Sequence, residues 1–137
     1  MTFGVNPIFA SSIRLIVAQR LVRKLSDSKR ERKATEAETK YIHEVLKGTD
    51  VDLSDIKLYD PVETEEAPFG YEGRMVLMEQ MVVNEDIAKY IRGDVADINT
   101  TAIEETAKKS GMLTLEQKGV IAALKGETTL EEVSRVI

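Results

Sequence analysis

The 137-residue chain contains no cysteine, which excludes disulfides and thiolate metal sites. Histidine occurs once, at His43, so a multi-histidine metal cage and a Cys–His pair are excluded as well. No apolar run approaches the roughly 20 residues that a membrane-spanning helix needs, and the N-terminus lacks a charged region followed by a long apolar one. A soluble, cytoplasmic chain is expected. The sequence also lacks G-x-x-x-x-G-K-[ST], G-x-S-x-G and any defensible Ser/His/Asp set, so it offers no conventional nucleotide or nucleophile site of its own.

What is there is an ordinary globular balance of 42% hydrophobic and 31% charged residues, enough for one domain or two small subdomains. The net charge of −5 is unevenly spread. Between Arg14 and Lys33 eight basic residues stand against Asp27 and Glu31, a surplus of six, which leaves −11 on the remainder. Clustered Arg and Lys can neutralise nucleic-acid phosphates, but this segment has no aromatic residue for stacking and the whole chain is acidic. Nucleic acid is therefore not expected as a partner.

The stretch Phe69-Gly70-Tyr71-Glu72-Gly73-Arg74, followed by Met75-Val76-Leu77-Met78-Glu79-Gln80-Met81-Val82-Val83, organises the rest. Two glycines around Tyr71 and Glu72 permit a turn, and the apolar residues beyond it fall on both parities. This predicts a strand covered on both faces, with sheet neighbours and layers that the chain supplies only in part. An arginine delivered by a glycine turn to such a strand is held rigidly. Arg74 is suited to a phosphate or a neighbouring carboxylate, and equally to a surface salt bridge.

Asn6-Pro7 marks a helix start carrying Ile8, Phe9 and Ile13. From Ile16 to Leu25 the period fits a strand or a continuing helix; we read a helix, then a strand pairing antiparallel with the Met75 run. Ser26 to Lys33 reads as a solvated connection. Thr35 and Glu38 form a capping box for a helix bearing Tyr41, Ile42, Val45 and Leu46 and ending at Gly48. Ile56 to Tyr59 is a possible short strand, and Pro61 to Pro68 a loop. Asn84 caps a helix through Arg92 that stops at Gly93, and Thr101/Glu104, Thr114/Gln117 and Thr129/Glu132 open three more. Glu63, Glu65 and Glu66 suit a solvated loop, whereas Glu104, Glu105, Glu131 and Glu132 favour the positive ends of helices. His43 reads as an ordinary surface or boundary residue.

These segments together resemble the C-terminal portion of the type II secretion and type IV pilus assembly ATPases, the type II secretion system protein E family. The resemblance lies in Gly4 to Ser12, Val17 to Leu25, Gly70-Tyr71-Glu72-Gly73-Arg74 leading to Met78-Glu79, Gly111 to Leu115, and Gly126 to Val136. It implies the end of a RecA-type hexameric motor whose phosphate loop, Mg-site motifs and histidine box precede the matched region. The fold class implied is α+β, mainly helical. Residues 1–25 and 70–83 would supply closing strands of a RecA-like sheet, 26–69 an inserted helical subdomain, and 84–137 a C-terminal bundle of short helices.

The family's glycine-tyrosine-x-glycine-arginine motif falls on Gly70, Tyr71, Gly73 and Arg74, and its alanine-glutamine-arginine strand contains Gln19, Arg20 and Arg23. The resemblance places these residues near a nucleotide site or a subunit interface, with no catalytic residue in this chain. ATP and Mg would belong to the parent enzyme, and the chain alone would turn over no ATP. Implied partners are the N-terminal part of the same ATPase, neighbouring subunits of a homo-hexamer and inner-membrane platform proteins, with the motor cytoplasmic and peripheral to that membrane. A stand-alone adaptor docking on a secretion motor is the alternative. Many members bind zinc through two Cys-x-x-Cys pairs in the insertion; here Ser26, Lys29, Glu63 and Glu66 fall at about those positions and cannot form a thiolate site. The insertion is expected to hold together on its own small core around Tyr41, Ile42, Val45 and Leu46.

Overall fold

The computed structural model describes residues 7–93 and 100–137. Their order is α1 (Pro7–Ser12), β1 (Leu15–Leu25), β2 (Arg30–Lys33), α2 (Glu36–Val45), β3 (Lys57–Asp60), β4 (Tyr71–Val82), α3 (Glu85–Arg92), α4 (Thr100–Lys109), α5 (Leu115–Leu124) and α6 (Leu130–Val136). The described chain is thus α+β, with β1 paired to β4 and β2 to β3 in two small sheets. The described residues fall into two compact units, one drawn from 1–18 and 79–114, the other from 19–78 and 115–137.

In the first unit α1 packs on α3, and α3 on α4. The side chain of Asn84 accepts the Ile87 N–H, Glu85 and Asp86 occupy the first turn, and Gly93 ends α3 at φ +79°. Ile87 and Ala107 are buried. The expected cap at Asn6 lies outside the described residues. Thr101 stands inside α4 rather than ahead of it, so the Thr101/Glu104 spacing does not mark that helix's start.

The second unit is organised around α5. One side of this helix sends Val120 and Ala123 against Ile42, Leu46 and Leu58, with Tyr41, Val45 and Leu130 packed around them. Ala122 instead meets Val22 and Leu77, joined by Met75, Leu115 and Val136. Two cores on one short helix require close approach. Gly119 provides it: a Cβ there would lie 2.6 Å from Val133 Cγ1 and 3.2 Å from Leu77 Cδ1. The expectation of a self-contained core for residues 26–69 is therefore corrected, because Ile42 and Leu46 are covered by α5.

Two further expectations change. Arg30–Lys33 is a strand, not a solvated connection, pairing antiparallel with β3 in the register Arg30↔Asp60, Glu31↔Tyr59, Arg32↔Leu58 and Lys33↔Lys57. The inserted segment is thus mixed rather than helical. Its ladder is tied by charge: Arg32 Nε lies 2.9 Å from Asp60 Oδ1, and its fork grips Glu38 with both contacts at 2.8 Å. The capping box of α2 is present, and its Glu38 thus also serves β2. The described residues cover one face of β4. Leu77 is buried, but Leu21 and Val76 are each 48% exposed, because the helices cover only the face that carries Val22 and Leu77.

Candidate functional site

The site begins with a glycine that nothing else could replace. Gly70 has φ +78°, and a Cβ would stand 2.6 Å from Pro61 Cβ and 2.8 Å from Val62 N. Its N–H donates to Ala67 O at 2.9 Å and its carbonyl accepts from Ser26 N at 3.0 Å, fixing where β4 begins beside the end of β1. Gly73, at φ +75°, lies inside β4 with open space around it; there the backbone conformation rather than crowding requires glycine.

Tyr71 follows directly. Its ring carries the Arg23 guanidinium, whose Cζ is 4.3 Å from the centroid, and its hydroxyl lies 3.0 Å from Thr129 Oγ1. Thr129 is the N-cap of α6 and accepts the Glu132 N–H at 3.2 Å. The Glu132 side chain is 2% exposed. Its Oε2 accepts from the Arg23 backbone N–H at 2.8 Å, and its Oε1 from Arg23 Nε at 2.9 Å and Nη2 at 2.8 Å. Arg135 adds Nε at 3.1 Å and Nη2 at 2.9 Å.

The segment before α6 completes the edge of β1. Thr128 Oγ1 donates to Arg23 O at 2.8 Å, and Leu25 N–H to Glu127 O at 2.9 Å. With the Glu132 carboxylate on the Arg23 N–H, the backbone groups of this edge are satisfied by residues 127–132. Burial alone would push the Glu132 carboxyl up, but the hydrogen bonds from Arg135 and Arg23 win and hold it at about 2. The same contacts raise Arg23 and Arg135.

Of the seven candidates, the fold brings Gly70, Tyr71 and Arg23 into one constellation. Gln19 and Arg20 are exposed on β1, with Arg20 Nη1 donating to Gln19 O at 2.8 Å. Arg74 is exposed and its side chain has no hydrogen bond or ion pair among the described residues, whereas Arg23 is held by Glu132 and Tyr71. Sequence reading placed Glu132 correctly at the third position of α6 but assigned its carboxylate to the helix end. The Thr129-x-x-Glu132 spacing locates that residue; nothing local says that its side chain turns to β1.

Around the four positions singled out in the insertion, Ser26 Oγ lies 2.5 Å from Ser28 Oγ, which donates to Val62 O at 2.9 Å. Lys29 Nζ donates to Gly126 O at 2.7 Å. Glu63 and Glu66 are exposed, and among the described residues no three His, Asp or Glu side chains gather as a metal site requires.

Residues 1–135 match the family described as Type II/IV secretion system protein. The chain is 40% identical over 129 residues to the type II secretion system protein E of Xanthomonas campestris pv. campestris, covering 94% of this chain and 22% of that protein. It is 35% identical over 127 residues to the type IV pilus assembly ATPase PilB of Pseudomonas aeruginosa, covering 93% and 21%. With the PilB of Thermus thermophilus the identity is 33% over 135 residues, covering 95% and 14%. The chain thus spans less than a quarter of the length of these relatives. Matched along nearly its whole length, it belongs to the Type II/IV secretion system protein family.

Proposed function

We propose that this chain is the C-terminal part, free of a phosphate loop, of a hexameric cytoplasmic ATPase that powers type II secretion or type IV pilus assembly. The observation that carries the reading is the match of 93–95% of the chain to a small fraction of proteins named for those two tasks. In the parent motor β1 and β4 close a RecA-like sheet, and the exposed Leu21 and Val76 face meets chain that lies outside these residues.

ATP and Mg2+ are held by that other part, since the 137 residues contain no phosphate loop. Arg23, Arg20 and Arg74, with Gln19, Gly70, Tyr71 and Gly73, contribute to the nucleotide site or the subunit interface. The partners are the N-terminal part of the same enzyme, neighbouring subunits and the inner-membrane platform. To test this, the corresponding segment of the Xanthomonas type II secretion system protein E is replaced by this chain. The chimera is expected to hydrolyse ATP while the isolated chain does not. Hydrolysis by a clean preparation of the chain alone overturns the reading, as does a folded chimera without activity.

A further inference from the structure

We propose that Glu132 is a positioning residue: it fixes the Arg23 guanidinium over the Tyr71 ring so that the remaining nitrogen, Nη1, meets an anionic oxygen as a preset donor. The contacts form a closed circuit. Arg23 is bound to Glu132 through its main chain and its fork, and Glu132 is tied through its own N–H to Thr129 Oγ1. Thr129 Oγ1 bonds the Tyr71 hydroxyl, and the Tyr71 ring carries Arg23. Each member is therefore held from two sides, and no member can rotate without breaking two contacts.

What the circuit holds is accessible. The Arg23 side chain is 46% exposed although its carboxylate partner is 2% exposed, and Nη1 has no partner among the described residues. Two guanidiniums share one carboxylate, so the cluster keeps a net positive charge. A planar donor with its rotamer already fixed loses little entropy when it binds. The anionic oxygen would come from a nucleotide phosphate or from a carboxylate of an adjacent subunit. That half of the proposal rests on the reading of Arg23 given above.

The first experiment follows the Arg23 Nε–Hε signal of the 15N-labelled chain, assigned by its absence in Arg23→Lys. Its exchange with water is expected to be at least about tenfold slower than that of the unpartnered Arg74, and Glu132→Gln, which leaves only a neutral acceptor, is expected to cut the difference sharply. Persistence of the slow signal in a folded Glu132→Gln chain overturns the proposal. Should that variant fail to fold, Glu132→Asp keeps the charge but withdraws it by one methylene, and undiminished protection there overturns it equally.

The second experiment places Glu132→Gln and Arg23→Lys in the full-length chimera. Matching losses of about tenfold in kcat/KM with intact assembly identify the phosphate as the source. Matching losses of assembly identify the neighbour's carboxylate. Wild-type behaviour of Arg23→Lys in both assays, with the Arg23 signal released by Glu132→Gln, removes the functional reading of Arg23 and leaves the positioning intact.

Discussion

Gly119 lies so close to Val133 that a Cβ on it would stand 2.6 Å from one γ-methyl and 2.9 Å from the other. By helix propensity alone, alanine in place of a mid-helix glycine gains about 1 kcal/mol. Here the overlap with a fully buried valine outweighs that gain, and Gly119→Ala is expected to destabilise by about 1–3 kcal/mol. Urea denaturation of Gly119→Ala and of Gly119→Ala with Val133→Ala checks the cause. The second change removes both clashing methyls and should recover part of the loss.

Removing the Glu132 carboxylate leaves the guanidiniums of Arg23 and Arg135 and the Arg23 N–H without their acceptor. Glu132→Ala is expected to cost about 1–3 kcal/mol, chiefly because the Arg23 N–H loses its acceptor, while both guanidiniums remain partly in solvent. Arg135→Ala should cost clearly less, because Arg135 is more than half exposed and Arg23 still satisfies the carboxylate. Denaturation midpoints of the two variants in parallel report the contrast, and equal losses would contradict it.

Stability should fall in acid. Glu132 is held at about 2 by Arg135 and Arg23 against the opposing effect of burial, and Glu38 at about 2 mainly by Arg32, against an ordinary 4.5. Each folded-state pKa lies below its unfolded value, so the unfolded chain binds more protons across this window. The stabilisation is complete above about 4.5 and drains away as pH falls towards about 2. Stability measured between these limits should slope less steeply in Glu132→Gln and in Glu38→Gln than in the parent chain, and an unchanged slope in both would contradict the assignment.

Local signals were the legible part of the sequence. Thr35 with Glu38, Asn84, Gly93, and Thr129 three residues before Glu132 each define a helix end through contacts within four residues, and all four ends are present. The β2 strand was hidden because Arg30-Glu31-Arg32-Lys33 has no hydrophobic alternation; its pairing is tied instead by Asp60 and Glu38, both supplied from elsewhere in the chain. Gly119 was equally silent, since its need for a small residue comes from Val133 and Leu77. The site divided in the same way. The glycine turn at Gly70 was visible locally and the resemblance pointed to Tyr71, whereas Glu132 is joined to Arg23 across 109 positions, a distance over which no local pattern speaks.

The exposed side of the β1–β4 pair gives the last prediction. Leu21 and Val76 are each 48% exposed, on strands whose opposite face buries Val22 and Leu77. Alternation along a strand places such residues on one uncovered face. Apolar surface of this kind is stable in water only when something covers it, and in a solution of the isolated chain the available cover is another copy. The isolated chain is therefore expected to self-associate with rising concentration in sedimentation velocity. Leu21→Ser with Val76→Ser should return it to a monomer while shifting unfolding by no more than about 0.5 kcal/mol, as surface changes do. A wild-type chain that stays monodisperse at every concentration would remove the argument for missing cover, and would favour a self-standing module that docks on a motor over a part of one.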